Sequence, residues 1–237
     1  MKKIKVSAVS YTNTKPFVYG LTHSEIINQI DLSLDIPADC ARKLIVNQVD
    51  IGLVPVAALL DIPNYQIISD YCIGAHGAVN SVFIFSNQPI STIKTIRLDS
   101  QSRTSNNLAL VLLKNYWKIY PEIVEENEDA FVLIGDRTFG KKQDYKYAYD
   151  LAEEWKQFTG LPFAFAVWAS NKVISNEFIN EFNIALKWGL DNRLDVIENY
   201  QPNGFNLEDY LTNKLDFNLD KKKREAINLF LTYIKTL

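Results

Sequence analysis

The sequence predicts an α/β protein built around a mostly parallel sheet. Strand-like and helix-like segments alternate between residues 3 and 54, the order that generates parallel pairing. Residues 49–54 read as one continuous apolar strand, as expected for a strand covered on both faces. The alternation then resumes from residue 95 to residue 169.

Lys3 to Val9 alternates and is rich in β-branched residues, the pattern of a first strand. It runs into the polar loop Ser10 to Pro16, whose proline suits the first turn of a helix. Leu32 to Ile36 is a second strand, and Pro37 to Asn47 a helix with Ala41, Leu44 and Ile45 inward. After Val49 to Val54 come two further strands, Ile67 to Ile73 and Val79 to Phe85, separated by Gly74-Ala75-His76-Gly77. Thr95 to Leu98 is a short strand, residues 98–107 a polar loop, and the apolar positions 108, 112, 113, 116 and 117 mark a helix. Ala130 to Ile134 is a strand ending in Gly135-Asp136-Arg137. Asp150 to Glu153 forms a capping box for a helix that Gly160 and Pro162 stop. Phe163 to Ala169 is an apolar strand. From Asn176 onward the chain reads as helical, near 176–192, 206–214 and 220–236. The aromatic and aliphatic residues there recur at helical spacing and read as packing surfaces.

A length of 237 residues fits one large domain or two intertwined lobes. Net charge is −3, and the basic run 221–224 opens a helix rather than forming an extended patch, so nucleic acid is not an expected partner. No run approaches the roughly 20 apolar residues of a membrane span. Lys5 interrupts the opening apolar segment too early for a secretory signal, and a cytoplasmic location is expected. Cys40 and Cys72 have no paired spacing, and His23 and His76 are the only histidines, so neither a disulfide scaffold nor a metal site is expected.

Ligands of open α/β sheets bind beyond the carboxyl ends of the strands. The sequence places Ser10, Tyr11 and Asn13 after the first strand, Val56 after the third, and Ser102, Arg103, Thr104 and Ser105 at a helix start. Asp136 follows the strand at 130–134, and Asn80 and Ser81 begin a strand. Neutral hydrogen-bonding groups, one arginine and several helix N-termini suit an anionic small molecule with hydroxyl or ether oxygens. No nucleophile triad, dinucleotide fingerprint or P-loop is present. Each residue also has an ordinary structural use: Asn13 as a turn former, Ser81 as a strand start, Asp136 as part of a turn pair, Arg103 as a solvated cation beside a helix cap. His76, between glycines, reads as a surface residue and as the lone candidate base.

Six motifs in order resemble the chorismate dehydratase family of the futalosine route to menaquinone. They are Val9 to Pro16; Pro37 to Ala41 with Val49 to Val56; Asn80-Ser81-Val82; Asp99 to Ser105; Ile134-Gly135-Asp136; and Gly160 to Trp168. The resemblance covers about the first 170 residues. It implies a periplasmic-binding-protein-like (type II) fold of two α/β lobes joined by crossing strands, with a helical C-terminal tail. The expected division is 1–85 plus 170–237 for one lobe and 86–169 for the other. It further implies a cofactor-free hydro-lyase that removes water from chorismate to give 3-[(1-carboxyvinyl)oxy]benzoate. Asn13 and Ser81 would be catalytic, and Ser10, Tyr11, Val56, Asn80, Ser102, Arg103, Thr104, Ser105 and Asp136 would bind substrate. Two alternatives share the scaffold: the dihydroxynaphthoate synthase of the same pathway, and a cytoplasmic or tethered solute-binding protein for an anion.

Overall fold

A computed structural model describes residues 3–197, 202 and 204–237. The first part of the chain follows the expected alternation. β1 (Ile4–Val9) leads through a single helical turn, Thr12–Thr14, into α1 (Lys15–Thr22), with Pro16 in the first turn. β2 (Ile30–Asp35), α2 (Pro37–Ile45) and β3 (Ile51–Pro55) follow, then β4 (Gln66–Ala75). The chain next passes to a second sheet, with β5 (Val82–Ser86), β6 (Thr95–Arg97) and α3 (Arg103–Leu112). β7 (Glu122–Ile123), β8 (Ala130–Ile134), β9 (Tyr147–Asp150) and α4 (Leu151–Thr159) complete that part. β10 (Phe163–Ser170) returns to the first sheet. The tail contains α5 (Asn176–Asp191), the short α6 (Leu207–Asp209), β11 (Asp216–Asn218) and α7 (Lys221–Ile234).

The first sheet has the strand order β11-β4-β10-β3-β1-β2 and the second β7-β6-β8-β5-β9. Both are mixed, which corrects the expectation of mostly parallel pairing. β1 is parallel to β2 and β3, but β10 runs antiparallel to both β3 and β4 because it re-enters from the second sheet. β5 is likewise antiparallel to β8 and β9. One strand, β11, interrupts the helical tail and pairs with the outer side of β4.

The strand pairings also correct the expected lobe boundaries. Val82–Ser86, assigned by sequence to the first lobe as far as residue 85, pairs with β8 and β9 of the second sheet. Phe163–Ser170, assigned mostly to the second, pairs only with β3 and β4 of the first. A continuous apolar run reads the same whichever sheet it completes, so the sequence pattern does not distinguish them. The two passages between the sheets lie near 76–81 and 160–162. Helix α3 starts at Arg103, five residues before the first apolar marker used to predict it, because its first turn faces polar surroundings.

Helices α1 and α5 cross at Gly20 and Gly189 on the outer face of the first sheet. A Cβ at Gly189 would lie 2.0 Å from the Pro16 carbonyl oxygen and 2.6 Å from the Gly20 nitrogen. Both obstacles are backbone, so a larger residue must part the helices. Gly189→Ala therefore lowers stability by about 1–3 kcal/mol, the usual cost of overpacking, despite alanine's better helix propensity. Urea unfolding that shows an unchanged or higher midpoint for this variant would contradict the crossing geometry.

Candidate active site

The carboxyl ends of β1 and β3 in the first sheet face those of β6 and β8 in the second. Between them lies a cavity of about 550 Å³, counting its open mouth. Apolar side chains from both sheets, including Val9, Ile73, Val79, Ile134 and Phe165, form much of its wall. The polar part comes from Tyr11, Asn13, Thr14, Ser81, Ser102, Thr104 and Ser105. Among the described residues, no lining side chain carries a charge.

Helix N-termini supply the electropositive character instead. Residues at the starts of α1 (Asn13, Thr14), α2 (Pro37) and α3 (Ser102, Thr104, Ser105) all line this space. The first N–H groups of a helix have no partner within it, and the helix dipole adds partial positive charge. At α3 the Ser102 hydroxyl oxygen accepts from the Ser105 N–H at 3.1 Å. The N–H groups of Arg103 and Thr104 have no acceptor within the helix. Thr104 Oγ1 accepts from the Ala57 N–H at 3.1 Å, which leaves its hydroxyl proton for another acceptor.

Hydrogen bonds across the cavity hold the two sheets in register. Asp136, at the end of β8, accepts from the Thr12 hydroxyl at 2.8 Å and from the Thr12 N–H at 3.2 Å. The Tyr11 phenol donates to Gln101 Oε1. Gly135, at φ +64°, lets the Tyr11 ring lie against its backbone; a Cβ there would meet the ring at 2.9 Å. Arg137, next along the chain, donates to both carboxylate oxygens of the buried Asp99 at 2.9 and 2.8 Å. Burial raises the Tyr11 phenol pKa above its ordinary value, against the lowering effect of Arg137.

Of the sequence-predicted site residues, the cavity gathers Tyr11, Asn13, Ser81, Ser102, Thr104 and Ser105. The other five stand elsewhere. Ser10 is exposed. Val56 is fully buried in the core, and Pro55 takes the lining position next to it. Arg103 turns outward and pairs with Asp61 at 2.5 Å; successive helix positions are about 100° apart, so with Thr104 and Ser105 inward it points away. Asp136 spends its carboxylate on Thr12 rather than lining the cavity. Asn80 adopts φ +59° and borders a separate groove. His76 lies outside the cavity, its Nε2 2.7 Å from Asp216.

Two contributors lie outside the sequence-predicted site residues. Tyr210, from the tail, is buried and donates to Ser81 Oγ at 2.8 Å. Asp150 caps α4 and also accepts from the Asn80 N–H at 2.7 Å, immediately before Ser81. A strand-ending aspartate one turn before an amphipathic helix signals the cap, but nothing local signals the bond to Asn80. Burial pushes the Asp150 carboxyl up to about 6 even though several N–H groups favour its ionised form.

The raised value sets a pH dependence. The unfolded chain loses the Asp150 proton near the ordinary value of 3.8 and the native chain only near 6. Between these the native state binds more protons, so stability falls as pH rises through the window and then levels. The stability of the wild type relative to Asp150→Asn is expected to decrease from about pH 4 to about pH 6. Parallel unfolding curves that keep a constant gap over that range would refute the assignment.

Two facing mixed α/β sheets with a cleft at their strand ends define a binding-protein-like scaffold, and solved structures agree. A protein of Archaeoglobus fulgidus matches with a TM-score of 0.77 at 16% identity, covering 99% of this chain and 97% of its own. A Candida albicans protein described as having the generic periplasmic binding protein fold matches at 0.69 and 14%, covering 100% and 91%. The ligand-binding component of an ABC-type import system from Staphylococcus aureus matches at 0.65 and 11%, covering 100% and 92%. Likeness at these identities shows the fold. The chain itself belongs to the menaquinone biosynthesis family, whose model matches residues 4–236.

Proposed function

We propose that this protein is a chorismate dehydratase acting in menaquinone biosynthesis. The observation that carries the reading is the convergence of Asn13, Ser81 and Thr104 on one cavity lined by hydroxyl and amide groups, helix N-termini and no charged side chain. Chorismate carries two carboxylates, a ring hydroxyl and an ether oxygen on an apolar six-membered ring. Helix N-termini suit the carboxylates, the polar side chains suit the hydroxyl and ether, and the apolar wall suits the ring.

The reaction breaks the C–H bond at the ether-bearing ring carbon and the C–O bond of the neighbouring hydroxyl. A ring double bond forms, and the proton and hydroxide leave together as water. Aromatisation supplies the driving force, so positioning and hydrogen bonding are the main tasks left to the protein. Among the described residues the cavity contains no carboxylate, histidine or lysine, and Tyr11, the titratable group among them, has a raised pKa and stays protonated near neutrality. The substrate's own enolpyruvyl carboxylate is then the proton acceptor. Asn13 and Ser81 hydrogen-bond the leaving hydroxyl and orient the ring, while the start of α3 binds a carboxylate through Thr104 and Ser105. A conformational opening must admit substrate past the Thr12–Asp136 and Tyr11–Gln101 bonds.

Purified protein mixed with chorismate should remove the diene absorbance and release one aromatic product. Binding without turnover would instead favour a solute-binding protein. Asn13→Ala and Ser81→Ala should each lower kcat by about a hundredfold, the scale of a lost transition-state hydrogen bond, with smaller changes in KM. Thr104→Ala combined with Ser105→Ala should raise KM by about tenfold or more, since hydrogen bonds to a charged group contribute about 1.5–3 kcal/mol each. An unchanged KM would remove the α3 start from the carboxylate site.

A further inference from the structure

From the C-terminal tail, the side chain of Tyr210 reaches Ser81, one of the residues that line the cavity. This tyrosine follows α6, whose N-cap is Asn206, and its carbonyl accepts from the Leu215 N–H at 3.0 Å in a wide helical turn. Its ring is fixed by edge contacts with Phe139 at 5.6 Å and Phe205 at 5.2 Å between centroids. Tyr210 borders the groove behind Ser81, while Ser81 itself lines the cavity.

A hydroxyl has one proton to give and can accept two. Because Tyr210 Oη donates to Ser81 Oγ at 2.8 Å, the acceptor side of Ser81 facing the tail is occupied. The Ser81 proton is then free for an acceptor in the cavity.

We infer that Tyr210 is a positioning residue that holds the Ser81 hydroxyl and aims its proton into the cavity. The inference rests on the dehydratase reading for its catalytic consequence, and on geometry alone for the linkage. A buried tyrosine always needs a partner for its hydroxyl. A purely structural role would leave the chemical step unchanged once the ring is kept in place.

Tyr210→Phe keeps the ring and removes the hydroxyl. It should lower kcat by roughly tenfold, the scale of one hydrogen bond, with KM within about twofold and a melting temperature within a few degrees of wild type. In a Ser81→Ala background the same change should cost nothing further, because both substitutions break one linkage. Wild-type turnover in Tyr210→Phe, or an equal loss in both backgrounds, would overturn the positioning role. An activity-independent measurement separates this from the choice of substrate: the backbone amide resonance of Ser81, followed by nitrogen-15 NMR, should move in Tyr210→Phe. A shift in a protein that leaves chorismate untouched would sink the dehydratase reading and retain the linkage. An unmoved amide would sink the linkage whatever the substrate.

Discussion

A helix must begin somewhere, and the N–H groups of its first turn need acceptors from outside it. In this protein the starts of α1, α2 and α3 border one cavity, where no charged side chain competes for them. That arrangement is the constraint on which the site depends. It turns helix N-termini toward the cavity without a charged side chain among the described lining residues, and it leaves the walls apolar enough to hold a ring. Arginine and lysine at the same positions would bind anions more strongly. They would also bring long, mobile side chains into a space of about 550 Å³.

The mixed topology of the sheets follows from the same requirement. α1 and α2 follow strands of the first sheet, and α3 follows β6 of the second. Opposing their starts requires two sheets with facing strand ends, so the chain must leave the first sheet and return. β10 is the return, and its antiparallel pairing with β3 and β4 is the topological result. Once the sheets face each other, a few polar contacts hold them together. Asp136 takes the N–H and hydroxyl of Thr12, so one lobe caps a helical turn of the other. The Ala57 N–H on Thr104 makes a similar link beside α3. These are neutral or singly charged hydrogen bonds, individually modest.

Much of this was legible in the chain. Ser102 caps its helix, Asp150 caps α4, and Ser175 and Asp220 cap α5 and α7. The strands at 4–9 and 130–134 fall where β-branched alternation places them. Asn13, Ser81 and Thr104 were recognisable from motifs around them, and they share one cavity. Less legible were direction and partnership. Val82–Ser86 and Phe163–Ser170 are apolar on both faces and carry no mark of the sheet they join. Arg103 has the chemistry of an anion ligand, yet helical rotation turns it to Asp61.

Sequence by itself determined the elements: apolar period, capping residues and glycine or proline stops are local properties, read by neighbours within a turn or two. It also placed the polar loops at strand ends where an anion could bind. Tertiary structure alone decided which of those side chains meet. Tyr210 and Ser81 are 129 residues apart, and Thr12 and Asp136 are 124 apart. No local pattern encodes a bond between such positions, because it exists only after two sheets and a tail have packed around the same cavity.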